Sequence, residues 1–105
     1  MIISDPTIDD QQVVVVSFTT AHPSKESFCL IHPGEHPFVR HKTCVSYLHA
    51  QITTVARLIA NRDKGAIVPQ APVSPALLTR IRRGVPHSNL MPSKCSLIIA
   101  RQRLF

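Results

Sequence analysis

Residues Val13–Thr20 read VVVVSFTT. Seven of these eight residues are β-branched or aromatic, types that fit a pleated surface better than a helix, where a branched Cβ crowds the preceding turn. The first four are continuously apolar instead of alternating. Both faces of the segment are therefore expected to be covered, which makes it a central strand.

Upstream, Met1–Ser4 is a short apolar run cut off by the turn-forming pair Asp5-Pro6. It is close enough to pair with Val13–Thr20 as a hairpin around the polar loop Asp5–Gln12. Downstream, Ala21–Ser27 is a second polar loop and Phe28–Ile31 reads as a short third strand. His32-Pro33-Gly34 closes it, with proline and glycine placed as in a type II turn. Thr43–Ile52 alternates: Cys44, Ser46, Leu48, Ala50 and Ile52 on one side, Val45, Tyr47, His49 and Gln51 on the other. That is the pattern of a half-buried strand, with a helix as the alternative.

The second half changes character. Thr53–Asn61 is ambiguous: its two threonines can cap a helix, and Val55, Leu58 and Ile59 fit a helical stripe. Asp63-Lys64-Gly65 is a turn, Ala66–Val68 a short strand candidate and Pro69–Pro72 a linker. Ser74-Pro75 opens the clearest helix, since serine caps the first amides and proline loses nothing at the first helical position. Leu77, Leu78, Ile81 and Val85 form its apolar face; Gly84 reads as its stop, followed by Pro86. A last helix is expected from Pro92-Ser93 through Leu97, Ile98 and Ile99. Strands first and helices last make an α+β fold in one domain, strand-rich over 1–68, linked over 69–73 and helical over 74–105. Short strands and frequent turns suggest that the antiparallel sheet closes into a small barrel.

Composition narrows the function classes. The chain has 105 residues, no Trp and 5% aromatics, so Val, Ile, Leu and four Phe must build the core. No window approaches the ~18 apolar residues of a membrane span, and MIISDPTIDD lacks the basic start and apolar run of a signal peptide. A cytoplasmic protein with no membrane partner is the expectation. Cys29, Cys44 and Cys95 form no CxxC pair and read as buried thiols instead of a zinc site. The net charge is +6 and the isoelectric point about 9.9, which favours an anionic partner such as nucleic acid. Five of the six acids lie in the first 35 residues, and all but one of the twelve bases lie from Arg40 onward. The later two-thirds of the chain thus carries the positive surface.

The segment CLIHPGEHPFVRHKTCVS, residues 29–46, concentrates reactive side chains. His32, His36 and His41, with Glu35, have loose metal-ligand spacing on proline-stiffened loops, so no metal or other cofactor is expected. A nucleophilic Cys29 or Cys44 would need a histidine such as His41 beside it, which a strand conformation disfavours. Cleavage of RNA next to a 2′-hydroxyl needs a base, an acid and a cation for the developing phosphorane charge. Glu35, His36, Arg40 and Lys42 can supply these, with Thr19 and Thr20 at the end of the central strand. Arg80, Arg82 and Arg83 on the first clear helix, with Arg101 and Arg103, can hold phosphates.

The apolar start Met1–Ser4, the strand VVVVSFTT ending in Thr19-Thr20, and GEHPFVRHKTCVSY (34–47) together resemble the PemK/MazF-type growth-inhibitor toxins of toxin–antitoxin systems. The resemblance covers Met1 to Tyr47. It implies an SH3-like barrel, a homodimer, a protein inhibitor, and metal-independent cleavage of single-stranded RNA. The arginine that precedes the first strand in that family has no counterpart ahead of Ile2. The cationic role would therefore fall to Arg40 or Lys42, beside Thr19 or Thr20. The alternative reading is a non-catalytic protein-interaction module of the same fold.

Overall fold

The structure is a computed structural model that describes residues 1–21, 29–37 and 39–104. It is an α+β fold: β1 (Val13–Thr20), β2 (Leu30–Ile31), β3 (Thr43–Thr53), α1 (Val55–Asp63), α2 (Pro75–Gly84) and α3 (Ser93–Arg101), with a 3₁₀ turn at Val85–His87 after α2. The antiparallel sheet has the order β1-β3-β2. Among the described residues it stays open with three strands, which corrects the expected barrel: β2 has two residues and α1 begins one residue after β3, so no further strand is available to close it. Phe28, expected in β2, lies outside the described residues.

β1 is an outer strand of the sheet, with β3 at the centre, which corrects the central position expected for the apolar run; the N-terminal segment lies along the other edge of β1. Val16 N–H donates to Met1 C=O and Ile3 N–H to Val14 C=O, both at 2.9 Å, with Ile2 opposite Val15. The N-terminal segment thus covers one edge of β1 and β3 the other, and Val13 and Val14 are fully buried. Ser4 is buried too, its hydroxyl accepting from Val14 N–H at 2.9 Å, so it costs the core no unpaired polar group.

β3 departs from the simple alternation in an instructive way. Val15 pairs with Gln51 and Ser17 with Ser46, so Val16 alone opposes residues 47–50. This bulge shifts the inward phase by one residue. Val45 and Tyr47 point into the core before it and Ala50 after it, while Leu48 and His49 are exposed. The two sides predicted for Thr43–Ile52 are therefore mixed: each contributes to one core face.

Thr54 resolves the Thr53–Asn61 ambiguity in favour of a helix, its hydroxyl accepting from Arg57 N–H at 3.0 Å. Ser74 caps α2 in the same way, accepting from Leu77 N–H at 3.1 Å with Pro75 next. Leu77, Ile81 and Val85 are buried against the sheet, with Cys95, Ile98 and Ile99 of α3 beside them. Gly84 is not a left-handed stop. It is helical, with φ −72°, and a Cβ there would overlap the Tyr47 hydroxyl and lie 2.9 Å from its Cζ. Glycine is needed for close approach, and Tyr47 uses that space to donate to Ile81 C=O at 2.7 Å. Gly34 has φ +93° and Glu35 N–H bonds to His32 C=O, as the type II turn requires. Ala66–Val68 forms no strand.

Candidate nucleic-acid interface

β1 ends as β3 begins, so Thr20 pairs with Thr43 and Thr19 with Cys44. This antiparallel register brings Arg40-His41-Lys42, the residues leading into β3, against the end of β1. Ala21 N–H donates to Lys42 C=O at 3.1 Å. Thr20 Oγ1 and His41 Nε2 are 2.9 Å apart, and Thr43 Oγ1 donates to His41 C=O at 2.8 Å. The backbone and ring of His41 are thus held from two strands, while Arg40, His41 and Lys42 are all exposed. Arg40 also borders a shallow depression of about 370 Å³ shared with His36, Pro37, Gln70 and Ala71.

The other expected residues lie elsewhere or have other partners. Glu35 accepts from Arg80 Nη1 at 2.5 Å and from His32 N–H at 2.7 Å. The Arg80 guanidinium, then the His32 amide, hold its carboxyl below the usual carboxylate range. Arg80 also donates to Leu30 C=O, so this pair clasps α2 to β2. Arg82 Nε donates to Ile3 C=O at 2.8 Å, binding α2 to the N-terminal segment. Arg83, the next residue of α2, is exposed. His36 is buried against Phe18, with the rings edge to face and centroids 6.5 Å apart. Its Nε2 lies 2.6 Å from Ala71 C=O; a carbonyl only accepts, so Nε2 carries the proton.

The structure therefore brings Thr19, Thr20, Arg40 and Lys42 to one end of the sheet and adds His41. It does not bring Glu35 or His36 into that cluster as an acid and a base. The sequence singles out His41 only as a metal ligand or a base for Cys44. Its flanking cations, in Arg40-His41-Lys42, are the signal for its place here. Cys44 is buried on β3 whereas His41 is exposed, so they form no nucleophile–base pair. Cys29, Cys44 and Cys95 are all buried, and burial pushes the Cys29 and Cys95 thiols above their ordinary range. Among the described residues, no three His, Cys, Asp or Glu side chains group to hold a metal ion, and no helix is long and apolar enough to cross a membrane.

No protein-family model, curated protein or solved structure matches the chain.

Proposed function

We propose that the protein is a small single-stranded RNA-binding domain, with the Arg40–Lys42 end of the sheet as its phosphate-contacting surface. The observation that carries this is the Thr20–His41 contact at 2.9 Å, which fixes an exposed imidazole between two exposed cations at the close of β1. Arg80 is paired with Glu35 and Arg82 is tied to Ile3 C=O, whereas Arg40, Lys42 and Arg83 are exposed. Phosphate contacts position the strand electrostatically, and the neighbouring hydroxyls and imidazole supply donors and acceptors to nucleotides.

The cleavage implied by the resemblance to growth-inhibitor toxins needs two proton-transfer groups. His41 is suited to be one. Glu35 and His36 each hold a structural bond instead, so the reading supported here is binding, with cleavage as a separate arm of its test.

Anisotropy of a labelled single-stranded RNA should saturate with the protein. Arg40→Ala/Lys42→Ala should weaken binding and reduce the slope of log K against log salt by roughly 0.7 per lost contact. Unchanged affinity and slope in that variant would remove the proposed surface. Incubation of the same RNA with EDTA present, read with growth of cells expressing the protein, decides the stronger form. Intact RNA and normal growth would eliminate the nuclease.

A further inference from the structure

A groove of about 820 Å³ lies between β1, α1 and the Ile67–Val73 segment. Ile2, Val15, Phe18, Leu58, Ile59 and Val68 supply its apolar walls, and none of Thr19, Thr20, Arg40, His41 or Lys42 lines it. Its volume is in the range of small-molecule sites, which pair an apolar lining with a few polar groups. The wall opposite the sheet is preformed. Thr54 caps α1, Ala66 N–H bonds to Asn61 C=O at 2.9 Å, and Ala71 C=O is held by His36 at 2.6 Å. Pro69 and Pro72 stiffen the stretch between them.

The charge of the lining is one-sided. Arg62 and His49 reach the groove, and among the described residues no acidic side chain lines it. Arg62 has a long, exposed contact at 3.4 Å from both Nε and Nη2 to a single oxygen of Asp63; a guanidinium has five N–H donors, so others remain for a ligand. Ser46 Oγ lies 2.8 Å from His49 Nδ1. With the hydroxyl donating, the other ring nitrogen carries a proton and can donate to an anion.

We infer that this groove binds an amphipathic monocarboxylate: an unbranched apolar chain along Val15, Phe18, Leu58 and Ile59, with its carboxylate at Arg62 and His49. Arginine's planar fork matches a carboxylate in two parallel bonds, and Asp63, the acid beside Arg62, lies outside the groove lining and holds the guanidinium through a single oxygen at 3.4 Å. The inference uses residues separate from the RNA surface, so either reading can fail without the other.

Calorimetric titration with decanoate, 1-decanol and acetate tests it. Decanoate should bind at one site per chain, decanol more weakly and acetate undetectably. Arg62→Gln should weaken decanoate on the order of tenfold and leave decanol unchanged. Leu58→Asp should abolish both, with the near-ultraviolet dichroism of buried Tyr47 confirming the fold. No saturable decanoate binding overturns the site. Equal affinity for decanol and decanoate, or an Arg62→Gln variant that binds decanoate as well as the parent, overturns the ligand class. Light scattering that shows a dimer dispersed by Leu58→Asp would assign the groove to a second copy of the chain and also overturn it.

Discussion

α1 and α2 are nearly the same length, both are capped by a hydroxyl, and both end in arginine-bearing turns. They differ in what they bury. α2 puts Leu77, Ile81 and Gly84 under the sheet and meets Tyr47 so closely that one position tolerates no side chain. α1 has no buried residue against the described residues around it, although Val55, Leu58 and Ile59 share one of its faces. Short isolated helices are marginal in water, and packing of an apolar face is what normally secures them. α2 therefore belongs to the core, whereas α1 is a wall with an apolar face available to something else. The difference separates the part of the molecule that holds the fold from the part that can bind.

That contrast breaks first at Ile81, which is fully buried. Ile81→Ala should cost about 2–5 kcal/mol, the range for a buried large-to-alanine change, measured by urea unfolding. Gly84→Ala is the sharper case, because two effects oppose each other. Alanine favours a helix over glycine by ~1 kcal/mol, but its Cβ would collide with Tyr47, and overpacking costs about 1–3 kcal/mol besides straining the Tyr47–Ile81 bond. A net loss of about 2 kcal/mol is expected. A stabilised variant would show that α2 stands further from β3 than described. Tyr47→Phe should lose about 1 kcal/mol, the net worth of one hydrogen bond, because Ile81 C=O then loses the hydroxyl that reaches it at 2.7 Å.

The elements of α2 were legible for local reasons. Ser74-Pro75 and the Leu77/Ile81/Val85 spacing act within one or two turns, and the same holds for β1 and the Pro33-Gly34 turn. What was not legible is non-local. The bulge that lets Val45 and Ala50 face the same core follows from pairing with β1, and neither strand alone announces it. Gly84 looks like a helix stop until Tyr47, 37 positions earlier in the numbering, is placed against it. The candidate site shows the same divide. Arg40-His41-Lys42 and Thr19-Thr20 meet because β1 and β3, which are not consecutive in the chain, pair antiparallel in the sheet. Glu35 and His36 read as an acid and a base because nothing nearby in sequence reveals Arg80 and Ala71, their partners from 45 and 35 residues away. The barrel failed for a related reason: short strands and turns indicate a small sheet, but closure depends on partners that local pattern does not supply.

The Glu35–Arg80 clasp sits between these extremes, exposed yet linking α2 to β2. Because the folded state holds the Glu35 carboxyl below its unfolded value, its contribution is present above the unfolded pKa and is lost as pH falls through the folded one. Glu35→Gln should therefore lower stability slightly at neutral pH and flatten the loss of stability below about pH 4.5. Unfolding midpoints across pH 3–7 in the two proteins check this. Parallel curves would mean that the ion pair is idle in solution.

The smallest expected effect is the most informative about α1. Leu58 is half-buried and lines the groove. Leucine and alanine are both good helix formers, so Leu58→Ala leaves the helix intact and removes only groove-lining surface. Stability should move by less than about 0.5 kcal/mol, against several for Ile81→Ala, two chemically similar truncations on helices of similar length. The same variant should weaken decanoate markedly, since the lost methylenes would contact the ligand. A loss above about 2 kcal/mol with the protein alone would mean that α1 is packed as α2 is, and the distinction between core and wall would fall. If that loss grew with protein concentration, a second copy would be the cover. An unchanged stability together with weakened decanoate binding would establish that the apolar face of α1 serves a ligand and contributes nothing measurable to the fold.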